Sequence, residues 1–451
     1  MKKYPYLLLI ALLVIAGSAI AITTFHKSPE PCPSGCNIIV IAVDTLSAKH
    51  TKIDGYDRDT MPRTEAFFAD DFIFEEAYSV SPWTLPSFSS IYFSDLPNQI
   101  SFRDLDERDN LFTELRKDSI TIRSVLHPKP IFITDAIYKP LREEERSYSA
   151  EIFSVGMEKL QELQSSGNPF LLWLHTFEAH DPFSPKEPYD TYFEALDGYE
   201  NITMNDLLSA NEQHETNVER DTAYALRYDQ GIASLDDRLG AFLETLPQEI
   251  LDTTVIIVTS DHGEAFGEHG KVWHANSLYN EELHVPLFIR VPGISGRKIS
   301  EPVSLLDLAP TILSFTKTPE PEYFKGESLA PLLLKGTHTH RPLMFVHGMP
   351  YFMQKENLKA GIVPPTTLAK TGAEGSTRPI IEMSTFGVQY GSIKSIWHIV
   401  GSDEMAQVQV FDLSSDPGEQ TPLDMPLEKM PSEIVSTFAS IFWRMTSGGN
   451  N

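Results

Sequence analysis

Residues 37–44 read "NIIVIAVD", an unbroken apolar run rich in Ile and Val and closed by a carboxylate. A run without polar alternation predicts a strand covered on both faces, as central strands of a parallel sheet are. Two later runs have the same form. "FLLWLH" at 170–175 ends on His175, and "VIIVTSDH" at 255–262 ends on Asp261-His262. Between them lie helix-spaced segments, one near 150–165 and one over "TAYALRYDQGIASLDDRLGAFLETL" at 222–246. "VPLFIRVPG" at 285–293 predicts a further strand. Strands alternating with helices predict an α/β fold, a mostly parallel central sheet flanked by helices. In such sheets ligands gather at the carboxyl ends of the strands.

Other segments punctuate this pattern. "MPRTEAFFADD" at 61–71 predicts a helix, and "FIFEEAYSV" at 72–80 a short strand and loop. These lead into "SPWTLPSFSS" at 81–90, where Pro86 suits the first turn of a helix whose positive end would face Thr84. Residues 95–150 are polar and poorly periodic, and no element is assigned to them. From about residue 337, "PLMFVHG", "STFGVQYGSIKSIWHIV" and "QVQVFDLSSDPGE" predict short strands with turns. With a helix near 431–445 they form a small C-terminal subdomain built on an antiparallel sheet. The expected layout is an export segment at 1–22, a linker at 23–36, a catalytic α/β domain at 37–336 and the C-terminal subdomain at 337–451.

Composition narrows the function classes. With 41% hydrophobic and 10% aromatic residues, the 451-residue chain has the means for a large core. It carries 63 acidic residues against 36 Lys and Arg, a net charge of −27. Such a surface does not hold nucleic acid through general basic attraction. Two lysines followed by an apolar run from Tyr6 to Ile22, with Ala19-Ile20-Ala21 inside it, predict export. The segment is a cleaved signal peptide or a retained membrane anchor, and its shortness favours cleavage. The expected location is periplasmic or extracellular. The only cysteines, Cys32 and Cys36, follow closely, and an exported context predicts a small disulfide loop between them.

Three apolar strands thus end in acid or imidazole groups: Asp44, His175 and Asp261-His262. "EAHDPF" adds His180. Taken singly, an Asp at a strand end caps a turn, and a Thr is a structural residue. Taken together on one rim, Asp44, Asp261 and His262 form a mixed oxygen and nitrogen set for one divalent metal, which Thr84 could complete. Such an ion lowers the pKa of a bound hydroxyl and orients its oxygen for attack. Zn, Mn, Mg and Ca all fit the charge, and the histidine favours Zn or Mn.

At this point the sequence resembles a family. "NIIVIAVDTLSAKHTKIDGYDRDTMPRTEAFFADDFIFEEAYSVSPWTLPSFSS" looks like the N-terminal signature of sulfatases, in the alkaline-phosphatase superfamily. "HTFEAHDPF", "RYDQGIASLDDRLG", "VIIVTSDHGEAFGEHG", "HANSLYNEELHVPLFIRVPG", "VSLLDLAPTIL" and "FDLSSDPGEQ" follow in the family's order, so the resemblance spans about residues 37–420. It implies an alkaline-phosphatase-like core with a C-terminal subdomain and one metal beside the nucleophile. Asp44, Asp261 and His262 fall on ligand positions and Thr84 on the nucleophile. His180 and His274 fall on positions that contact the transferred anion or the leaving group. His175 matches less closely, and His269, in "GEHG", is a turn residue or a site residue.

The departures bear on the reaction. Family members have Cys or Ser followed by x-Pro-Ser-Arg, and the first residue becomes formylglycine. Here that residue is Thr84, and Phe88 stands in the Arg position. Thr45 replaces a second adjacent carboxylate, and no Gly-Lys-Trp-His segment occurs between 95 and 150. These changes bring the site closer to superfamily members with a Thr nucleophile, which move phosphoglycerol or phosphoethanolamine groups in bacterial envelopes. The leading reading is a metal-dependent enzyme acting on a sulfate or phosphate ester carried by a glycan or a lipid. An envelope phosphotransferase and a non-catalytic binding protein on a sulfatase scaffold are the alternatives.

Overall fold

The computed structural model describes residues 31–97, 100, 105, 108–128, 138–141, 144–148, 151–181, 183, 185, 187–193, 217–347, 384–399 and 407–446. The export segment expected at 1–22 lies outside these residues. Among the described residues no helix is long and apolar enough to cross a membrane.

The central sheet has eight strands: β1 (Asn37–Val43), β2 (Phe72–Phe74), β3 (Thr121–Leu126), β4 (Glu144–Arg146), β5 (Phe170–Thr176), β6 (Thr254–Ser260), β7 (Leu287–Arg290) and β8 (Lys298–Ile299). Their order across the sheet is β8-β2-β7-β6-β1-β5-β3-β4. β6, β1, β5, β3 and β4 run parallel. β7 is antiparallel to both its neighbours, so the sheet is mixed at that edge. The helices include α1 (Pro62–Phe67), α2 (Thr84–Phe93), α3 (Leu111–Lys117), α4 (Ile152–Ser166), α5 (Val218–Glu244), α6 (Leu308–Thr316) and α7 (Ser432–Thr446).

β1 shows why the sheet is apolar on both sides. Ile38, Val40 and Ala42 pack with Leu85, Phe88 and Ile91 of α2 and Ile312 of α6. Ile39, Ile41 and Val43 pack on the opposite face with Leu160 of α4 and Ile232 and Leu235 of α5. Each fully buried aliphatic side chain contributes roughly 1.5–3 kcal/mol. This two-sided burial forces the continuous hydrophobic runs. The C-terminal sheet is different: β9 (Leu343–Val346), β10 (Ser384–Tyr390), β11 (Ile393–Ile399) and β12 (Gln407–Asp412) pair in order and antiparallel.

Cys32 and Cys36 are joined in a disulfide at the start of β1. Helix α2 begins two residues before the position expected from Pro86. Trp83 is extended, and its carbonyl accepts the Ser87 N–H at 3.2 Å, so Thr84 is the first helical residue. Pro86 still falls in the first turn, where its missing N–H costs nothing.

Candidate metal and ester site

The register of the parallel strands builds the site. Val43 of β1 pairs with Ser260 of β6 on one side and with Thr176 of β5 on the other. The next residues, Asp44 and Asp261, therefore leave the sheet side by side, although they are far apart in sequence. One Asp261 oxygen accepts the backbone N–H groups of Thr45 (3.2 Å) and His262 (3.0 Å). Its other oxygen is buried with no hydrogen-bond partner among the described residues, and the buried Asp44 carboxylate faces imidazoles, with His175 Nε2 3.2 Å from its Oδ2. One ligand atom each from Asp44, Asp261 and His262 lies within 4.8 Å of the others.

Burial pushes the Asp44 carboxyl up, but the His175 hydrogen bond and the charges of His180, His175 and His262 overcome it and hold the group at about 2. Burial and then the Asp44 charge push Asp261 well above the usual carboxylate range. Burial holds His262 down at about 4, which keeps it in the neutral form that binds metals. Burial and mutual repulsion thus disfavour charge on both acids at once, and a divalent cation held by them would offset that cost. Buried, uncompensated oxygens beside a neutral imidazole fit a divalent ion.

Thr84 joins this set. Its Oγ1 is 3.2 Å from His262 Nε2, at the first residue of α2. Ser87, one turn on, donates to the Asp261 carbonyl at 2.5 Å and fixes the helix start against the end of β6. Thr45 turns away: its φ is 64° and its hydroxyl donates to the Ala179 carbonyl at 2.8 Å. The hydroxyl of Tyr228 holds this turn, donating to the Thr45 carbonyl at 2.7 Å and accepting from the Ser47 N–H at 2.8 Å. Its neighbour Asp229 binds His50, Tyr56 and Arg58, so the "RYDQG" motif organises the loop after β1.

The remaining histidines separate into two groups. His175 Nε2 is 3.2 Å from Asp44, and its Nδ1 is 3.0 Å from the Tyr138 hydroxyl. Phe88, in the Arg position, lays its ring edge-on to His175 at 4.5 Å. His180 Nε2 lies 3.9 Å from Asp44, and its Nδ1 contacts Asp181 at 2.9 Å. The His274 ring is 4.6 Å from that of His262 and 5.3 Å from that of His180. Its Nδ1 faces the buried Glu264 carboxylate at 3.2 Å, which leaves Nε2 on the far side of the ring. His269 stands apart from the cluster. It stacks on Tyr279 at 3.6 Å and bridges Glu281 to the Glu419 carbonyl.

Glu264 and Tyr138 were absent from the candidates drawn from the sequence. Glu264 lies in the quoted "SDHGE", where its carboxylate was visible, but only the fold brings it to a histidine ten residues on. Tyr138 comes from the stretch to which no element was assigned.

A wound α/β sheet with this cluster at its strand ends is the architecture of the alkaline-phosphatase superfamily. The Sulfatase family model matches residues 36–318, and the chain belongs to that family. Arylsulfatase K of Bos taurus is 30% identical over 248 residues, covering 54% of this chain and 40% of the relative. The uncharacterized sulfatase YidJ of Escherichia coli is 28% identical over 201 residues, covering 42% of this chain and 39% of the relative. The matched stretch thus spans about two fifths of these relatives. A phosphonate monoester hydrolase of Agrobacterium radiobacter superposes with a TM-score of 0.66 at 16% identity, over 92% of this chain and 96% of that one. A protein solved with its substrate D-glucosamine-2-N,6-O-disulfate superposes at 0.65 and 16% identity, over 92% and 99%. At such identities these two establish the shared fold.

Proposed function

We propose that this chain is an exported, metal-dependent sulfatase-like enzyme that cleaves or transfers a sulfate or phosphate ester with Thr84 as its nucleophile. The observation that carries the reading is the Thr84 hydroxyl, 3.2 Å from His262 Nε2 at a helix start beside two under-compensated carboxylates. Asp44, Asp261, His262 and Thr84 would hold the divalent ion, with Zn or Mn favoured. When bound, the ion supplies the acidity that frees the Thr84 proton and offsets the charge of the ester group.

The chain's own residues supply the rest. The first N–H groups of α2 face the anion. His180, oriented by Asp181, and His274, oriented by Glu264, flank it. The Thr84 hydroxyl gives its proton to solvent, and its oxygen bonds to sulfur or phosphorus as the ester oxygen departs with a proton from His274 Nε2. His274 regains that proton from the water or acceptor hydroxyl that attacks next. Attack by water on the threonine ester then gives hydrolysis, and attack by an acceptor hydroxyl gives transfer. Either one restores Thr84. The second reading, an envelope phosphotransferase with a membrane-held substrate, is favoured by Thr84 itself, which does not become formylglycine. Phe88 supports it too, because an apolar ring fills the position of the family's guanidinium.

The test uses purified protein loaded with Mn or Zn and offered aryl sulfate, phosphate monoester and phosphodiester substrates. Thr84→Ala is expected to lose turnover roughly a thousandfold or more while binding the metal at reduced affinity, and Thr84→Ser to keep part of the turnover. Rapid quench with labelled substrate should trap an ester on Thr84. An alanine variant at near wild-type rate, with metal occupancy confirmed, would place the attack on water and remove Thr84 from the mechanism.

A further inference from the structure

His274 sits on strained backbone. Its neighbours Trp273 (φ 73°) and Ala275 (φ 63°) both hold left-handed conformations, although neither is glycine. Such residues persist only where the surroundings over-determine them. The Ala275 N–H donates to the Pro82 carbonyl at 2.9 Å, and its carbonyl meets His347 Nε2, just beyond β9, at 3.1 Å. The His274 carbonyl accepts from the Asn276 side chain at 3.0 Å, and the Asn276 N–H donates to Glu282 at 3.0 Å. The Glu282 carbonyl accepts the Gly263 N–H at 2.8 Å. The segment from Gly263 to Glu282 is therefore anchored on the short turn of Asn280–Leu283.

That turn is held by the C-terminal sheet. Lys394 on β11 and Glu419 pair at 2.7 Å, both side chains fully buried. Lys394 Nζ donates to the Asn280 side-chain oxygen at 2.7 Å, and Glu419 accepts the Asn280 N–H at 2.6 Å. His269 ties the Glu419 carbonyl (2.9 Å) to Glu281 (2.7 Å). The "DPGEQ" sequence makes this reach possible. Asp416 accepts from the N–H groups of Gln420 and Thr421, and Glu419 turns inward with a φ of 53°.

We infer that the C-terminal subdomain contributes to the reaction by positioning: the Lys394–Glu419 pair, seated on Asn280, holds the strained segment that carries His274. This rests on the reading of His274 as the acid that protonates the leaving group. Glu419 and Lys394 touch no reacting atom, and they act through the Asn280 turn. The "DPGEQ" motif, which the chemistry at the strand ends does not use, thereby acquires a role.

The experiment uses the full chain, metal-loaded, with Glu419→Gln. Two esters of the same acid are compared, one with a 4-nitrophenyl leaving group and one with an alkyl group. A displaced His274 harms only the leaving group that needs a proton. The expected result is a kcat about tenfold or more lower on the alkyl ester, with the nitrophenyl ester within about twofold and metal binding unchanged. Hydrogen exchange should quicken across 272–284 and stay unchanged in β1 and β6. Equal losses on both esters, or unchanged exchange in 272–284, overturn the inference. If Glu419→Gln fails to fold, His269→Gln, which breaks the same bridge at its half-buried end, is held to the same two readouts. If the wild-type protein turns over neither ester, the proposed activity falls, and the exchange pattern alone decides the positioning.

Discussion

Two clusters of buried charge lie at opposite ends of the loop that follows β6. At the rim of the parallel sheet, Asp44 and Asp261 are fully buried, and imidazoles and backbone N–H groups face them with no Lys or Arg countercharge among their described contacts. On the other side, Glu419 and Lys394 are just as buried, but each carries the other's countercharge, and Asn280 serves both. Burial of charge is common to the two, so burial does not mark the working site. Incompleteness does. A closed pair is a structural joint, whereas two buried carboxylates beside a neutral imidazole make a donor set that fits a divalent cation. Glu282, between them, is a third case: burial pushes its carboxyl up to about 8 although the Ser277 hydroxyl and the Asn276 N–H both donate to it.

This contrast can be broken at each point. The largest effect is expected from Lys394→Met, which leaves the Glu419 charge buried and alone. Denaturant unfolding should show a loss of about 3–5 kcal/mol. Adding Glu419→Met should recover most of that loss, and a double variant as unstable as the single one would show that the pair is not self-compensating. Next is Asp261→Asn. Titration calorimetry should show divalent-cation affinity falling by more than the ~10–100-fold that outer-sphere substitutions cost. The metal-free variant should be about as stable as the metal-free wild type, because burial and the Asp44 charge already favour a neutral Asp261 and the amide keeps an oxygen for the Thr45 and His262 N–H groups. Lower stability would mean that the carboxylate has a structural duty.

The smallest effect concerns Glu282. Its folded-state pKa is raised, so the stability it contributes is fully present below about 4.5 and is lost as pH rises through about 8. The thermal midpoint should therefore fall as pH rises from about 4.5 to about 8 and level off above that. Glu282→Gln keeps the shape without the proton and should flatten that slope by about 2–4 °C. An unchanged slope would show that another group titrates.

What could be read in advance follows from the same physics. β1, β5 and β6 were legible because strands buried on both faces leave no polar positions. β3, with Thr121, Arg123 and Ser124, and β4, with the sequence Glu-Glu-Arg, were not: β4 is the sheet edge, and polar side chains interrupt both runs. The antiparallel course of β7 was hidden for a different reason, since a two-sided apolar run has no direction. At the site, Asp44, Asp261 and His262 were legible as strand ends. The Glu264–His274 pairing was not, because it depends on the left-handed turns around His274. His269 shows the limit of a motif: a histidine in a family segment that the fold spends on a joint.

Asp44 and Asp261 meet only because β1 and β6 are in register across more than half the length of the described chain. An unfolded chain has the Asp261-His262 dipeptide but not its partner, so it offers the ion almost nothing. Loading with metal therefore follows folding and cannot guide its first steps. Once the strands are paired, each free ion draws the population toward the native state by mass action, by about 2.7 kcal/mol when its concentration is a hundredfold above Kd. The ion proposed for the reaction would thus also serve as a check on assembly. A chain whose β1 slipped by one residue against β6 would carry Asp44 to the other face of the sheet and would gain nothing from the metal around it.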